Sequence, residues 1–306
     1  MIVPRPVLPR LWRGLGLAVA SLLLLAYVLA PVAWLLSSSL QTEREIVSIP
    51  PHWIPDHPTL QNFRAIFATG LGLAQPSPTG ADPSSGGFIP SVAGNLLPAM
   101  ANSFIVAGAV VILNLLIGVP AAYAIAKIRF RGRSLALYAI LATRVIPDIA
   151  LVVPFFLVVR KLGLLDSLAS LIITYLAVTV PFSVFVLASF FEQMPDDLDR
   201  AARVDGCSRF QVLTRVFLPL ARPALVAVGL FAFLASWNEF LLALMFTQTA
   251  AAQTLPIIVA GITSDFTVSF SFLNAAGVLA VVPPVILAVV FERYIVSGLT
   301  AGAVKG

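Results

Sequence analysis

The chain has 306 residues, of which 59% are hydrophobic and only 11% are charged, and its formal net charge is +5. A soluble domain carries about 25% charged residues, so this composition excludes an ordinary soluble enzyme and indicates that lipid surrounds much of the chain. The basic residues lie between apolar runs, which favours orientation in a bilayer over a nucleic-acid partner. One cysteine and two histidines, without a Cys/His cluster, predict no disulfide and no metal site.

Six apolar segments are long enough to cross a bilayer, for which about 20 residues are needed. They cover residues 14–36, 100–126, 135–159, 168–191, 224–246 and 272–291. The first segment follows three arginines and resembles a signal peptide, but its apolar run exceeds the roughly 7–15 residues of a signal core. We interpret it as a retained helix. The sequence therefore predicts an all-α integral membrane protein with six transmembrane helices.

The distribution of lysine and arginine predicts the orientation of the spans, because these residues accumulate on the cytoplasmic side. With the N-terminus inside, the inner segments hold 14 of them and the outer segments four. Both termini are then cytoplasmic, with residues 1–13 as an N-terminal segment and 14–306 as one transmembrane domain. Within that domain we distinguish an external loop, a cytoplasmic loop and a C-terminal tail, at 37–99, 193–223 and 293–306. The Gly/Pro/Ser-rich stretch 70–94 predicts a flexible excursion.

The third apolar segment contains two ionisable residues, which are costly inside a membrane and are candidates for function. Arg144 and Asp148 are four residues apart, so on one helix they would share a face and could pair. Pro147 and Pro154 interrupt the same segment, and broken backbone there could line a cavity. A structural ion pair and a contact with a transported substrate both remain open.

The stretch 194–223 is the most charged part of the chain and predicts two short helices. Three aspartates near its start, at 196, 197 and 199, suit a helix N-terminus. Leu198, Ala201, Ala202 and Asp205 fall on one helical face, where small side chains allow another surface to approach. Gly206 is suited to end this helix, and an amphipathic stretch follows at 210–218. The alternative is an ordinary charged connection between two spans.

Four stretches of this sequence resemble those of one family. DRAARVDGCSRFQVLTRVFLPLARP resembles the EAA loop of bacterial ABC-importer permeases, and Ala201, Ala202, Gly206 and Pro219 match its pattern. Arg200 stands where that family usually has glutamate. NSFIVAGAVVILNLLIGVPAAYAIAKIRFRGR, WNEFLLALMF and GLTAGAVKG are similar to the second permease subunit of maltose-type carbohydrate importers.

The resemblance implies a type I ABC-importer permease in the bacterial inner membrane, which forms half of a translocation pathway and is not itself an enzyme. The implied partners are a second permease subunit, two ATPase subunits, an external solute-binding protein, a disaccharide or small oligosaccharide, and the lipid bilayer. ATP and magnesium would be bound by the ATPase, because this chain has no Walker A sequence. It implies no cofactor on this chain.

The sequence offers three groups of candidate residues, of which two are implied by the resemblance and one, the translocation-path group, rests on polar residues within the apolar segments. The ATPase-coupling group is Asp199, Arg200, Ala201, Ala202, Arg203, Asp205, Gly206, Arg209 and Phe210. The translocation-path group is Arg144, Asp148, Trp237, Asn238 and Glu239, in which Trp237 could stack on a sugar ring or simply pack in the core. The group expected to contact the binding protein is Thr254, Thr263, Asp265 and Thr267. Their loop contains an apolar run at 255–262, which could instead fold back and cover the helix ends.

Two other classes of protein are alternatives. An ion-coupled secondary transporter could use Arg144, Asp148 and Glu239 as coupling charges, but it would not need the 194–223 stretch. A membrane-embedded enzyme would need a motif such as HExxH or GxSxG, and neither occurs in this sequence. The permease interpretation accounts for more of the chain than either alternative.

Overall fold

A computed structural model describes the backbone of residues 10–73, 92–263 and 269–303, and within these ranges the side chains between 14 and 294. All regular structure in these ranges is helical, as predicted. In chain order the helices are α1 (Arg10–Ser39), α2 (Glu43–Ile46), α3 (Gln61–Gly70), α4 (Leu96–Lys127), α5 (Arg133–Ala142), α6 (Asp148–Lys161), α7 (Leu168–Glu192), α8 (Asp196–Val204), α9 (Arg209–Val212), α10 (Leu218–Leu220), α11 (Arg222–Trp237), α12 (Leu241–Phe246), α13 (Leu255–Ile262) and α14 (Phe270–Ala303). A π-helical turn, Leu213–Phe217, joins α9 to α10.

Four of the six predicted spans are single helices that are long and apolar enough to cross a membrane. They correspond to Gly14–Ser39, Ala93–Lys127, Leu168–Glu192 and Phe270–Tyr294. Two bent pairs, Arg133–Val145 with Asp148–Lys161 and Arg209–Leu220 with Arg222–Trp237, raise the number of candidate spans in the described part of the chain to six.

The third predicted span, 135–159, is broken between α5 and α6, whose directions differ by 99°. Pro147 explains the break, because proline has no N–H and disfavours helical backbone in the residue before it. Ile146 accordingly has ψ of 122°. The prediction that Arg144 and Asp148 share a helical face is therefore wrong. They lie on opposite sides of this break, and they form no ion pair with each other.

The fifth predicted span, 224–246, is also not one helix. Helix α11 ends at Trp237, and α12 begins only at Leu241. No proline lies between them, so the sequence contains no obvious signal for the interruption. The Glu239 carboxylate caps the second helix, because it accepts hydrogen bonds from the backbone N–H groups of Leu242 and Ala243 at 2.8 and 3.1 Å. Such bonds satisfy free donors at the start of a new helix.

The centre of the bundle is the contact between α4 and α7. Their facing surfaces carry small or polar residues, which allow two membrane helices to approach closely. Asn114 of α4 donates to the hydroxyl of Thr179 in α7 at 2.8 Å, and both residues are buried. A Cβ at Gly118, one turn further on, would lie 3.7 Å from the side chain of Ser183. The helices of the two broken spans, α5 with α6 and α11 with α12, pack around this pair.

Helix α1 packs on α14 and leaves most of its apolar surface exposed, as in Leu22, Leu23 and Leu24, which are between 64% and 67% exposed. The two helices approach closely where a Cβ on Gly277 would lie 3.2 Å from a methyl group of Leu35. Lipid is the medium that such a surface requires.

Glu43, just after α1, caps the N-terminus of α14. One oxygen accepts from the N–H of Phe270 at 3.0 Å. The other accepts from the hydroxyl of Ser269 at 3.0 Å and from the N–H and hydroxyl of Ser271 at 3.0 and 2.8 Å. A carboxylate at a helix N-terminus meets both free N–H donors and the positive end of the helix dipole.

Two further predictions concern the flexible stretch and the tail. Most of the stretch 70–94 lies outside the described residues, which resume at position 92. The tail 293–306 is not a separate element, because α14 continues without a break to Ala303.

Candidate coupling surface and membrane cavity

Helix α8 is held against the bundle by its own acidic residues. The carboxylate of Asp196 lies 2.7 Å from the amine of Lys127 at the end of α4, and that amine also donates to the carbonyl of Met194 at 2.6 Å. The hydroxyl of Tyr123 donates to Asp199 at 3.0 Å. The hydrogen bond and the positive charge of Lys127 hold the pKa of Asp196 below its usual value. The acids therefore do more than favour the helix start, because they fix its position.

The end of α8 is a tight turn at Gly206, whose φ is +86°. The N–H groups of Gly206 and Cys207 donate to the carbonyls of Arg203 and Ala202 at 3.1 and 3.0 Å. Helix α9 then begins with a capping box, in which Ser208 and Gln211 exchange hydrogen bonds of 3.3 and 2.8 Å. Two short helices separated by a glycine are present, as the sequence predicts.

The predicted small-residue face of α8 divides in two. Ala201, Asp205 and Gly206 are exposed, but Ala202 packs on the hydrophobic cluster formed by α4, α7 and α11. Space around Gly206 is open, since a Cβ there would meet nothing within 4 Å. The structure adds one residue that the sequence did not single out, Val204, which is 87% exposed.

This side of the loop also exposes a large apolar residue, Phe210, at 74%. The neighbouring apolar residues point inward: Val212 of α9 and Leu213 and Phe217 of the π-helical turn are buried against the bundle. We call Ala201, Val204, Asp205, Gly206 and Phe210 the α8–α9 surface. It is an exposed surface with apolar groups on either side of an open glycine, which suits the docking of another protein.

A cavity of about 620 Å³ lies behind α8. Its walls include five arginines: Arg129, Arg133, Arg200, Arg203 and Arg209. Arg200 lies 3.3 Å from Asp197 and Arg133 lies 2.6 Å from Glu192, whereas the other three form no ion pair with any residue that the structure describes. The surface around α8 therefore combines a basic rim with an apolar centre.

A second cavity, of about 430 Å³, lies within the bundle where both helix breaks meet α7. Four of the five predicted path residues line it: Arg144, Asp148, Asn238 and Glu239. The guanidinium of Arg144 donates to the carbonyl of Val178 at 2.9 Å. The structure thus brings Arg144 and Asp148 to one cavity although they do not share a helix face.

Two path residues already have structural roles. Glu239 caps α12 and accepts from the hydroxyl of Tyr175 at 2.6 Å. Trp237 is 2% exposed, is stacked with Phe233, and donates to the carbonyl of Ala280 at 3.1 Å. In this conformation Trp237 packs in the core, and the indole ring presents no face to a sugar.

The segment after α12 is fixed by two side chains from other parts of the bundle. Asp166, before α7, accepts from the N–H groups of Gln248 and Thr249 and from the hydroxyl of Thr249 at 2.8–3.0 Å. Asn102 of α4 donates to the carbonyls of Ala251 and Gln253 at 3.1 and 2.9 Å. The segment is therefore ordered by polar contacts that its sequence does not reveal.

These bonds predict an acid dependence for the stability of the segment. The N–H groups of Thr249 and Gln248 and the Thr249 hydroxyl hold the pKa of Asp166 below its usual value. A carboxyl whose folded-state pKa is lowered stabilises the fold above its unfolded pKa of about 4, and this contribution is lost as the pH falls through the folded value.

Thermal unfolding in detergent between pH 7 and pH 3 measures this effect. We expect Asp166→Asn to lower the midpoint at pH 7 and its deficit relative to wild type to shrink below pH 4. Asp205→Asn, which alters an exposed carboxyl in the α8–α9 turn, is the control and should shift the midpoint little at any pH. An Asp166→Asn deficit that stays constant down to pH 3 contradicts the assignment.

The apolar run 255–262 covers the ends of the helices. It forms α13, whose Leu255, Ile258 and Ile262 are at most 2% exposed and pack with α4 and α14. Thr254 is 3% exposed, so in this conformation its side chain is not accessible to a binding protein. Thr263 is exposed at the end of α13, whereas Asp265 and Thr267 lie outside the described residues.

These features define a class of protein: a multi-pass helical membrane component with an open cavity at two helix breaks and an exposed surface suited to a partner. The model of one family, described as the binding-protein-dependent transport system inner membrane component, matches residues 114–300. The chain belongs to this family.

Similar curated proteins support the assignment over nearly the whole chain. The sulfoquinovosyl glycerol transport system permease protein SmoH of Agrobacterium fabrum is 38% identical, over 94% of this chain and 93% of that protein. The trehalose transport system permease protein SugB of Mycobacterium tuberculosis is 33% identical, over 94% and 97%. The trehalose/maltose transport system permease protein MalG of Thermococcus litoralis is 42% identical, over 67% and 74%.

A solved structure shares the fold. It is a chain of a bacterial ABC transporter involved in the import of the acidic polysaccharide alginate, with a TM-score of 0.77, 22% identity, and coverage of 96% of this chain and all of that one. The protein is therefore a permease subunit of an ABC importer in the inner membrane, and not an enzyme. This identification favours ATP-driven import over the ion-coupled alternative.

Proposed function

We propose that this permease imports a disaccharide or a small oligosaccharide and that both of its termini lie in the cytoplasm. Support for a sugar comes from the similar permeases, whose names specify trehalose, trehalose/maltose or sulfoquinovosyl glycerol. Support for the orientation comes from lysine and arginine, which are concentrated in the segments that would be cytoplasmic. Because six helices form half of such a pathway, a second permease subunit completes it.

The observation that carries the mechanism is the α8–α9 surface. Its exposed Val204 and Phe210 flank the open turn at Gly206, and Asp196 and Asp199 tie α8 to the ends of the spans. An ATPase subunit that docks on this surface could move α8, and the rigid contacts would transmit that motion to α4 and α7. ATP and magnesium are bound by two such ATPase subunits, and this chain holds no cofactor.

The cavity at the two helix breaks is the proposed route for the sugar. Arg144, Asp148 and Asn238 are the groups available to it, whereas Glu239 serves mainly to cap α12. On the outer face, Thr263, Asp265 and Thr267 are the proposed contacts with the solute-binding protein. Single cysteines at these three positions, in a Cys207→Ser background, should cross-link to that protein when ATP hydrolysis is trapped.

The charge at position 200 predicts the character of the ATPase surface. Arg200 is exposed and makes only a weak pair with Asp197, so its guanidinium is available to a partner. We expect Arg200→Glu to reduce co-purification of the ATPase about tenfold, because an ATPase surface that suits arginine would repel the introduced carboxylate. Arg160→Glu, on the outer side in the proposed orientation, is the control. Stronger assembly of Arg200→Glu would show that this position does not face an acidic or neutral surface.

Uptake measurements test the proposed function as a whole. The chain is expressed with its second permease, ATPase and binding protein, and uptake of labelled disaccharides, monosaccharides and amino acids is compared. We expect ATP-dependent uptake of a disaccharide or small oligosaccharide alone. Uptake that persists without ATP but is lost when the ion gradient is dissipated would support the ion-coupled alternative.

A further inference from the structure

Three potential metal ligands meet in the segment between α1 and α3. They are the carboxylates of Glu45 and Asp56 and the imidazole of His52, and one ligand atom from each lies within 4.8 Å of the others. The sequence predicts no metal site because it lacks a Cys/His cluster. A Cys/His criterion does not detect this set, because two of the three residues are carboxylates. Only the fold of residues 43–56 brings them together.

The histidine is oriented by the groups around it. Its Nδ1 lies 2.9 Å from the hydroxyl of Ser48, and its Nε2 lies 3.4 Å from a carboxylate oxygen of Asp56. Its backbone carbonyl accepts from the side-chain amide of Gln41, a fully buried residue, at 2.7 Å. Metal-binding histidines commonly use one ring nitrogen for a supporting hydrogen bond and the other for the metal. His52 has this arrangement, with Nε2 directed to the carboxylate of Asp56.

The two carboxylates are also held near each other. Glu45 accepts a hydrogen bond from the backbone N–H of Asp56, which leaves its second oxygen available. Neither carboxylate forms an ion pair with a lysine or arginine in the part of the chain that the structure describes. With a neutral imidazole the cluster carries two negative charges, which one divalent cation would balance.

We propose that Glu45, His52 and Asp56 form a binding site for a divalent transition metal of the zinc type. One nitrogen and two oxygen ligands suit such ions, whereas calcium takes six or more oxygens and magnesium keeps an octahedral shell. Ligand atoms around tetrahedral zinc lie about 3.3–3.6 Å apart, which follows from bond lengths of about 2.0–2.2 Å. Small side-chain rotations bring the three atoms to that spacing, and water supplies the fourth ligand.

The metal would link the two ends of the short loop that follows α1. Glu45 lies on α2, and His52 and Asp56 flank Trp53, whose ring is 4.9 Å from that of Trp34 in α1 and whose carbonyl accepts from Ser37 at 2.7 Å. A bound ion would therefore reinforce the attachment of this loop to α1. The site is independent of the proposed sugar transport.

Cobalt binding tests the proposal directly, because the visible absorption of Co²⁺ reports its coordination by protein ligands. The full chain, without a polyhistidine tag, is purified in detergent, treated with a chelator and titrated with Co²⁺ at neutral pH. We expect saturation at one ion per chain and displacement of Co²⁺ by Zn²⁺. Since only two histidines occur, His57→Ala is a matched control that should retain binding. His52→Ala should weaken it at least tenfold.

Glu45→Gln and Asp56→Asn separate loss of a ligand from loss of structure. Glutamine at 45 keeps an oxygen that can accept the Asp56 N–H, so the loop should stay folded while Co²⁺ affinity falls about tenfold or more. Thermal unfolding without metal checks that folding. Absence of saturable binding in wild type, or equal affinity in wild type and His52→Ala, overturns the proposal.

Discussion

Replacing Gly206 with tryptophan is expected to abolish sugar uptake and its coupled ATP hydrolysis, with at least a tenfold loss of each, while the protein still inserts and folds. Nothing within 4 Å would obstruct a Cβ at this position in the isolated chain, so the indole can project into solvent. In the assembled importer the same indole would occupy the space that the docked ATPase needs. Uptake, ATPase co-purification and membrane yield are the three measurements.

The positive φ of Gly206 requires a control, since any L-residue there is strained by about 1–2 kcal/mol. Gly163→Trp supplies it, because Gly163 also has a positive φ, of 68°, and open space around it, but it precedes α7 whereas Gly206 follows it. Gly206→Asn is the second control, since asparagine tolerates this backbone conformation. If Gly163→Trp impairs coupling as severely as Gly206→Trp, strain and not docking explains the loss.

Removing the Glu43 carboxylate is expected to destabilise the protein by about 2–3 kcal/mol, since hydrogen bonds to a charged group contribute about 1.5–3 kcal/mol each and partly exposed ones less. Glu43→Ala leaves the N–H groups of Phe270 and Ser271 and two serine hydroxyls without their acceptor. The unfolding midpoint in detergent should fall by roughly 5 °C. Proteolysis near the start of α14 should increase in parallel.

Glu192→Ala is the matched control for Glu43→Ala. It removes a carboxylate that lies 2.6 Å from Arg133, but both side chains are more than a third exposed, and exposed pairs contribute about 0–1 kcal/mol. Glu43→Gln, which keeps one acceptor oxygen, should fall between wild type and alanine. Equal midpoints for Glu43→Ala and Glu192→Ala would mean that the cap on α14 is unimportant.

Much of the fold could be predicted from local properties of the sequence. Continuous hydropathy identifies four spans because each is a single helix of at least 25 residues. The turn at Gly206 was predictable because a glycine follows a helical pattern, and the capping residues Ser208 and Gln211 also lie close in sequence. In each of these cases the decisive interaction joins residues within a few positions of each other.

The rest depends on contacts between distant residues. The path residues meet only because two helices break beside α7, and one of those breaks is capped by Glu239, which hydropathy counts as a defect in a span. Asp196 is predicted as a helix-favouring charge, but its partner Lys127 lies 69 residues earlier. A pattern within one segment contains no information about such partners.

The Glu43 cap on α14 affects the order in which the bundle assembles during synthesis. It joins the loop after the first span to the start of the last span, across 228 residues at Ser271. The ribosome adds about 5–20 residues per second, so the carboxylate waits roughly 10–45 s for the groups that it binds. Until then α1 has no α14 to pack against, and the first span rests in lipid as an isolated helix. The contact between α1 and α14 is therefore among the last to form, and it requires the final span to be made.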